Sequence, residues 1–358
     1  MPESARTSAY ASDVLPGGTV DAVVIGGGAA GLNGALMLAR SRRSVVVIDS
    51  GTPRNAPAEA MHGFLVLDGT PPAEILERGR EQVRQYGGRV VLGEVATAEP
   101  AEPAPPAGSP PAGSPSPLDP RFTVTLADGR SVTARRLLVA TGLRDVLPDV
   151  PGLAGHWGRG VVHCPYCHGW EVRDEPIGVL ATGPASVHHA LLFRQLTDDL
   201  VYFVRGTALD GENRARFAAR GIRVVDEPVR EVVGDGNGAD GGIAGVRLAD
   251  GTFVARRVLA VATRMEARTE GLDGLGLPME DLPDDMGRRL ASGAAGATEV
   301  PGVWVAGNAT DLAAQVGAAA AAGALAAARL NAELATADTD AALAAEAPAP
   351  ARGRSTAA

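Results

Sequence analysis

The run His163-Cys164-Pro165-Tyr166-Cys167-His168 holds both cysteines of the 358-residue chain, with a histidine flanking each. The reactive form of cysteine is the thiolate, and two cysteines separated by two residues can close and reopen as a disulfide. The same spelling is the attachment pattern of a c-type haem, and a Cys/His cluster can also clip a zinc ion. The string alone leaves all three open, so the surrounding elements must decide.

Composition narrows the setting. A formal net charge of −9 leaves no basic patch for nucleic acid or an anionic membrane. A soluble small molecule or another soluble protein is the expected partner. All the basic residues are arginine, a coding bias from which no function is drawn. The opening residues have no cationic start followed by an apolar run, so no secretory leader is expected. The small-apolar run Val316 to Ala328 is shorter than the roughly 20 residues that span a bilayer. The expected location is therefore cytoplasmic, where a lone cysteine pair serves catalysis or metal binding rather than structure. That location weakens the haem reading. Zinc is weakened too, because His163 and His168 adjoin the cysteines too closely for all four to close tetrahedrally on one ion. No metal site is expected.

Two regions can position such a pair. Asp21 to Arg40 reads as an apolar strand, a glycine turn and a helix with Leu32, Leu36 and Ala39 on one face. The turn is Gly26-x-Gly28-x-x-Gly31: Gly26 permits the bend, Gly28 lets a pyrophosphate approach, and Gly31 lets the helix pack on the strand. A second strand ends in Asp49, 18 residues beyond Gly31, where a carboxylate can accept hydrogen bonds from a ribose. These residues predict a bound dinucleotide. Another helix follows Pro71 and Pro72, ending near Gly87. Glu99 to Pro120, rich in proline, glycine and serine, reads as a disordered loop, and the tail from about Thr336 as disordered too.

An internal repeat suggests the architecture. Leu126 to Thr141 returns as Leu248 to Thr263, offset by 122 residues, with Asp-Gly in both copies. Two strands joined by Asp-Gly and running into a buried strand form the meander that lies over a dinucleotide-binding sheet. The second unit should repeat the glycine turn, but the matching positions read Ala181-x-Gly183-x-x-Ser186, with Pro184 inside. Alanine crowds the bend and proline removes an N–H. The following strand ends in a single Arg205, with no arginine cluster for a 2′-phosphate. A weakened nicotinamide site is expected. Near the end, Val303 to Ala306 is a strand, followed by a turn at Gly307-Asn308 and an alanine-rich helix. The start of that helix, at Gln315 and Val316, presents free N–H groups and a positive dipole end.

Together these motifs resemble the low-molecular-weight thioredoxin reductase family, from about Val20 to Leu334 apart from the proline-rich loop. The resemblance implies an α/β fold of two Rossmann-like dinucleotide-binding domains, each a three-layer ββα stack, the second inserted in the first. It implies a discontinuous FAD-binding domain over 19–149 and 268–335, an NAD(P)-binding-like domain carrying the CxxC over 150–267, and a tail over 336–358. FAD would be held by Gly26, Gly28, Gly31 and Asp49, by the strand end Ala140-Thr141-Gly142, and by Gly307, Asn308, Gln315 and Val316. Asn308 stands where the family has an aspartate, and should keep a contact to the ribityl chain.

The redox motif departs from the family, which carries an acid where this chain has His168. It looks like the branch of dithiol oxidases that close the disulfides of gliotoxin, holomycin and romidepsin, which lack a functional nicotinamide site. That likeness implies Cys164 as the exchange cysteine, Cys167 against the flavin, His168 as acid/base and His163 assisting. The expected reactants are a small-molecule dithiol and O2, giving H2O2. The competing readings are an NADPH-dependent thioredoxin reductase acting on a thioredoxin-like protein, and a flavoprotein that relays electrons to a partner without its own substrate. A homodimer is implied by the family.

Overall fold

The structure is a computed structural model in which residues 12–101, 121–206, 208–237 and 241–346 are described. Strands β1 (Thr19–Ile25), β2 (Val45–Asp49) and β3 (Arg89–Leu92) run parallel in the order β3-β2-β1. The helices α1 (Ala29–Arg40) and α2 (Pro72–Gln85) make the two crossovers. β4 (Val95–Pro100), β5 (Phe122–Leu126) and β6 (Ser131–Val139) form an antiparallel meander, and β6 runs on into the parallel sheet beside β1.

β7 (Leu143–Val146) carries the chain out of this unit. The next strands and helices are β8 (Val161–Val162), α3 (Pro165–His168), β9 (Ile177–Leu180), α4 (Ala185–Phe193), β10 (Leu200–Phe203), α5 (Gly211–Ala219) and β11 (Arg223–Val225). A second meander of β12 (Val229–Gly234), β13 (Ile243–Leu248) and β14 (Phe253–Ala255) leads to β15 (Val258–Val261). The second parallel sheet has the order β11-β10-β9-β15-β8. β16 (Arg264–Ala267) then returns antiparallel to β7, and β17 (Met279–Asp281) and β18 (Gly287–Leu290) extend that small sheet. Finally β19 (Val303–Val305) joins the first sheet beside β6, and α6 (Val316–Glu346) crosses its face.

The layers follow from strand alternation, which sends successive side chains to opposite faces. From β1, Val23 and Ile25 pack with Phe122 and Val124 of the meander, while Ala22 and Val24 pack with Leu38 of α1 and Leu330 of α6. From β9, Leu180 packs towards Val246 of the second meander, while Val179 packs with Phe193 and Phe217 of the helices. Each fully buried Leu, Val or Phe here contributes about 1.5–3 kcal/mol by leaving water. The fold is thus two Rossmann-like units, each helix, sheet and meander, with the second interrupting the first. The repeat is seen in the turns: Gly129 and Gly251, both at positive φ, donate to Leu126 and Leu248 across the two Asp-Gly hairpins at 3.0 Å each.

Two expectations change. The disordered tail expected from Thr336 is helical as far as Glu346. Alanine has the highest helix propensity, Leu334 is buried, and Asp338 pairs with Arg43 at 2.6 Å and Arg135 at 2.7 Å. The rest of the tail lies outside the described residues. Of the loop expected over Glu99–Pro120, Glu99 and Pro100 belong to β4, paired with Thr123 and Phe122 of β5. Residues 102–120 lie outside the described residues. Among the described residues no helix is long and apolar enough to cross a membrane.

Candidate active site

β1 delivers the chain into a bend that only glycine fits. Gly26 adopts a φ of +110°, and a Cβ on Gly31 would stand 1.8 Å from the Gly26 carbonyl oxygen. Gly28 faces open space, so a ligand can touch the backbone there. No side chain caps α1 and no acid lies in its first turn, so its N–H groups and positive dipole end are presented to an anion. Asp49 closes β2 beside the turn, its carboxylate accepting the Gly51 N–H at 3.1 Å. Arg80 of α2 approaches the other carboxylate oxygen at 3.4 Å, a neighbour the sequence did not announce.

A cleft of about 340 Å³ starts at this turn. Its walls include Gly26, Gly28, Asp49, Ala140, Thr141, Gly142, Asn308, Gln315 and Val316, and at the other end His163, Cys164, Cys167 and His168. Of the expected residues, Gly31 and Gly307 do not line it and act from behind: Gly307, at φ +68°, leaves only 2.7 Å between a Cβ of its own and that of Ala30. Asn308 differs from expectation in detail, because its amide nitrogen donates to the carbonyls of Asp311, Leu312 and Ala314 and so braces the loop before α6. Only its oxygen is left for a ribityl hydroxyl. An anion seat at α1, a ribose acceptor at Asp49 and a second helix start at Gln315 and Val316 fit a flavin dinucleotide.

The redox pair sits on a single helical turn. Pro165 and its neighbours make α3, and Cys164 and Cys167 are disulfide-bonded with 5.3 Å between their Cα atoms. The sulfur of Cys164 also accepts the Cys167 N–H at 3.0 Å, a contact that would favour a thiolate there once the bond is reduced. Tyr166 and Trp170 are exposed beside the pair, and Leu65 and Val66 are exposed on the loop between β2 and α2.

The two flanking histidines differ. His163 is mostly buried, its Nδ1 set between the Val261 carbonyl at 3.0 Å and the Thr263 backbone nitrogen at 3.3 Å. Burial lowers its pKa, and Arg54 nearby pushes the same way. Thr263 links this ring to Asp145, donating to its carboxylate at 2.7 Å, and Arg54 grips the same carboxylate at 2.6 and 2.7 Å. Burial works to raise the Asp145 pKa, but the arginine and threonine bonds outweigh it and the carboxyl stays below its usual range. His168 also has its pKa lowered by burial, against the pull of Glu171 and with His62 adding to it, so it is neutral near pH 7 and ready to accept a proton. His189 of α4 is a further member that sequence reasoning missed: its Nε2 donates to the carbonyl of His163, the residue before Cys164.

The second glycine turn is built differently from the first. Ser186 is fully buried and its hydroxyl accepts the Thr182 N–H at 2.9 Å. The Thr182 hydroxyl lies 3.1 Å from that oxygen and donates to Ala262 at 2.6 Å, while Pro184 starts α4 without an N–H. One backbone donor of the turn is thus used internally. The expected crowding at Ala181 is not how it closes: Ala181 is an ordinary core residue of the second sheet, absent from the left-handed positions. A cavity of about 600 Å³ beside the turn is lined by Gly183, His188, Arg205 and Arg216.

Two dinucleotide-binding units with a cysteine pair facing the cleft of the first define a flavin-linked disulfide oxidoreductase. The chain belongs to the pyridine nucleotide-disulphide oxidoreductase family, whose model matches residues 20–328. It is similar to thioredoxin reductase tcpT of Claviceps purpurea (strain 20.1), with 34% identity over 265 residues, 72% of this chain and 78% of the relative. Thioredoxin reductase sirT of Leptosphaeria maculans is 29% identical over 276 residues, 74% of this chain and 80% of the relative. The crystal structure of HlmI superposes with a TM-score of 0.82 at 43% identity, covering 94% of this chain and 98% of that one. The resemblance to thioredoxin reductase-like enzymes of the gliotoxin and holomycin type therefore holds, the protein is an enzyme, and FAD is its cofactor.

Proposed function

We propose that this enzyme oxidises a small-molecule dithiol to a disulfide through Cys164 and Cys167, with O2 as final acceptor and H2O2 as product, in the making of a disulfide-containing natural product. The observation that supports it most is the second glycine turn, where the Thr182 N–H is taken up by Ser186 and Pro184 brings no N–H. An enzyme fed by NADPH needs that turn open; an enzyme fed by a dithiol does not. The cleft also carries the apolar side chains of Pro57, Met61 and Trp157, which suit a small, largely apolar substrate.

In this reading His168 takes a proton from a substrate thiol, and the thiolate attacks Cys164. The second substrate sulfur then displaces Cys164, so two electrons and two protons pass from the dithiol to the cysteine pair. FAD, held by the first glycine turn, Asp49 and the start of α6, would supply the two-electron acceptor through which oxygen reoxidises the pair. His163, neutral and fixed by Val261, orients the strand end that carries Cys164. A cytoplasmic location and a homodimer belong to the same reading.

The cavity lined by Arg205 and Arg216 favours a second reading, an NADPH-dependent thioredoxin reductase. An anaerobic titration separates the two. Dithiothreitol should bleach the flavin absorbance while equimolar NADPH leaves it within the mixing time unchanged; rapid bleaching by NADPH sinks the oxidase reading.

A further inference from the structure

Besides His163 and His168, a third histidine lines the cleft that holds the redox pair. His62 belongs to the loop between β2 and α2 and lines the same cleft as Cys164, Cys167 and His168. Its ring is held between two carboxylates: Nε2 lies 3.3 Å from Glu171, just after α3, and Nδ1 lies 3.4 Å from Asp68. Asp68 is itself fixed by the Gly63 N–H at 2.8 Å. The loop is also seated on the start of α6, where the Gln315 amide oxygen would be 3.6 Å from a Cβ on Gly63 and the Phe64 ring 3.5 Å from one on Gly317. A ring with carboxylates at both nitrogens satisfies both contacts when it carries two protons. Among the described residues His168, by contrast, makes no hydrogen bond to a carboxylate, and burial lowers its pKa against the pull of Glu171. One ring with a carboxylate at each nitrogen and one without, lining the same cleft, can divide the roles of acid and base between them.

We propose that His62 is the general acid of dithiol oxidation, working opposite His168 as base, with Glu171 and Asp68 as positioning residues; this deepens the dithiol oxidase reading and rests on it. In the first exchange a substrate thiol gives its proton to His168 and attacks one sulfur of the disulfide, and the sulfur that leaves takes a proton from His62. In the second exchange the other substrate thiol gives its proton to His62 and attacks the mixed disulfide. The departing cysteine sulfur then takes the proton held by His168. Two electrons and two protons have moved from substrate to the cysteine pair, and both histidines return to their starting forms.

The test follows the cysteines directly. Anaerobic holoenzyme is mixed with dithiothreitol, quenched with N-ethylmaleimide, and the alkylated Cys164 and Cys167 are counted by mass spectrometry from pH 6 to pH 9. His62→Gln should slow the appearance of labelled cysteines about a hundredfold at pH 7. The groups facing His62 and His168 are Glu171, Asp68 and Glu59, with the Gly63 N–H holding the Asp68 carboxyl below its usual range. Because the variant removes a proton donor, its deficit should change with pH rather than stay constant. Glu171→Gln, a partly exposed position, should lose about five- to tenfold with flavin absorbance unchanged, and it decides the matter if His62→Gln does not fold. A His62→Gln rate within twofold of wild type at pH 7, or a deficit of the same size at every pH, overturns the assignment while leaving the oxidase reading intact. No labelling of the wild type by dithiol overturns both.

Discussion

At Gly26 the first strand donates its N–H to Ile48 at 2.8 Å, and at Ala181 the second donates to Phe203 at 3.0 Å, so the two turns begin from one geometry. They diverge within the next five residues. After Gly26 the chain bends at positive φ, leaves Gly28 against empty space and enters α1 with its first N–H groups uncapped by any side chain. After Ala181 the Thr182 N–H turns inwards to Ser186, and Pro184 opens α4. The same sheet edge can thus aim its donors at a ligand or use them on itself. The second helix has taken on another task, for His189 of α4 holds the backbone that carries Cys164.

The sharpest way to break this contrast is Gly31→Ala. Its new methyl carbon would meet the Gly26 oxygen, and overpacking against backbone costs about 3 kcal/mol or more. The variant should purify without flavin colour, whereas Ser186→Gly in the second turn should remain yellow; stoichiometric flavin in Gly31→Ala defeats the comparison. A smaller effect should appear with pH. Burial lowers the pKa of His189 to about 4 from 6.5. A depressed folded pKa means that the unfolded chain binds the proton first, so this contribution is complete above pH 6.5 and is lost as pH falls towards 4. Urea unfolding should show about 3 kcal/mol less stability at pH 4 than at pH 7 from this group. His189→Gln, which cannot titrate, should remove that part of the slope, and an unchanged slope would place the loss elsewhere. Smallest is Ser186→Ala. Losing the acceptor of the Thr182 N–H should cost about 1–2 kcal/mol of stability with dithiol oxidation unaltered. A loss of dithiol turnover would show that the second turn still serves the reaction.

What could be read from the sequence was local or periodic. Gly26, Gly28, Gly31 and Asp49 declared a dinucleotide turn because backbone sterics and a two-strand spacing leave few alternatives, and the Asp-Gly repeat declared the second meander. The residues that were missed meet only through the fold. Arg54 and Asp145 are 91 positions apart, Thr263 and Asp145 118 apart, and no spacing rule connects them. Arg80 reaches Asp49 from the middle of a helix whose pattern announced only an amphipathic face. Asn308 was legible as part of the terminal turn, but not that its amide nitrogen would brace three carbonyls of its own loop. The α6 extension was hidden by a composition common to helices and to disordered tails, and it was decided by the distant Arg43 and Arg135.

The paired strands β7 and β16 carry a last consequence. Leu143 faces Ala267, and Arg144 faces Glu266, so the chain leaves the first unit and re-enters it at neighbouring points of one ladder. Everything from β8 to β15 hangs from that doubled stem like a cassette. Excision and replacement at such a site disturb neither the order nor the ends of the host sheet. A change in the cassette's own turn can therefore leave the strand order of the first sheet untouched.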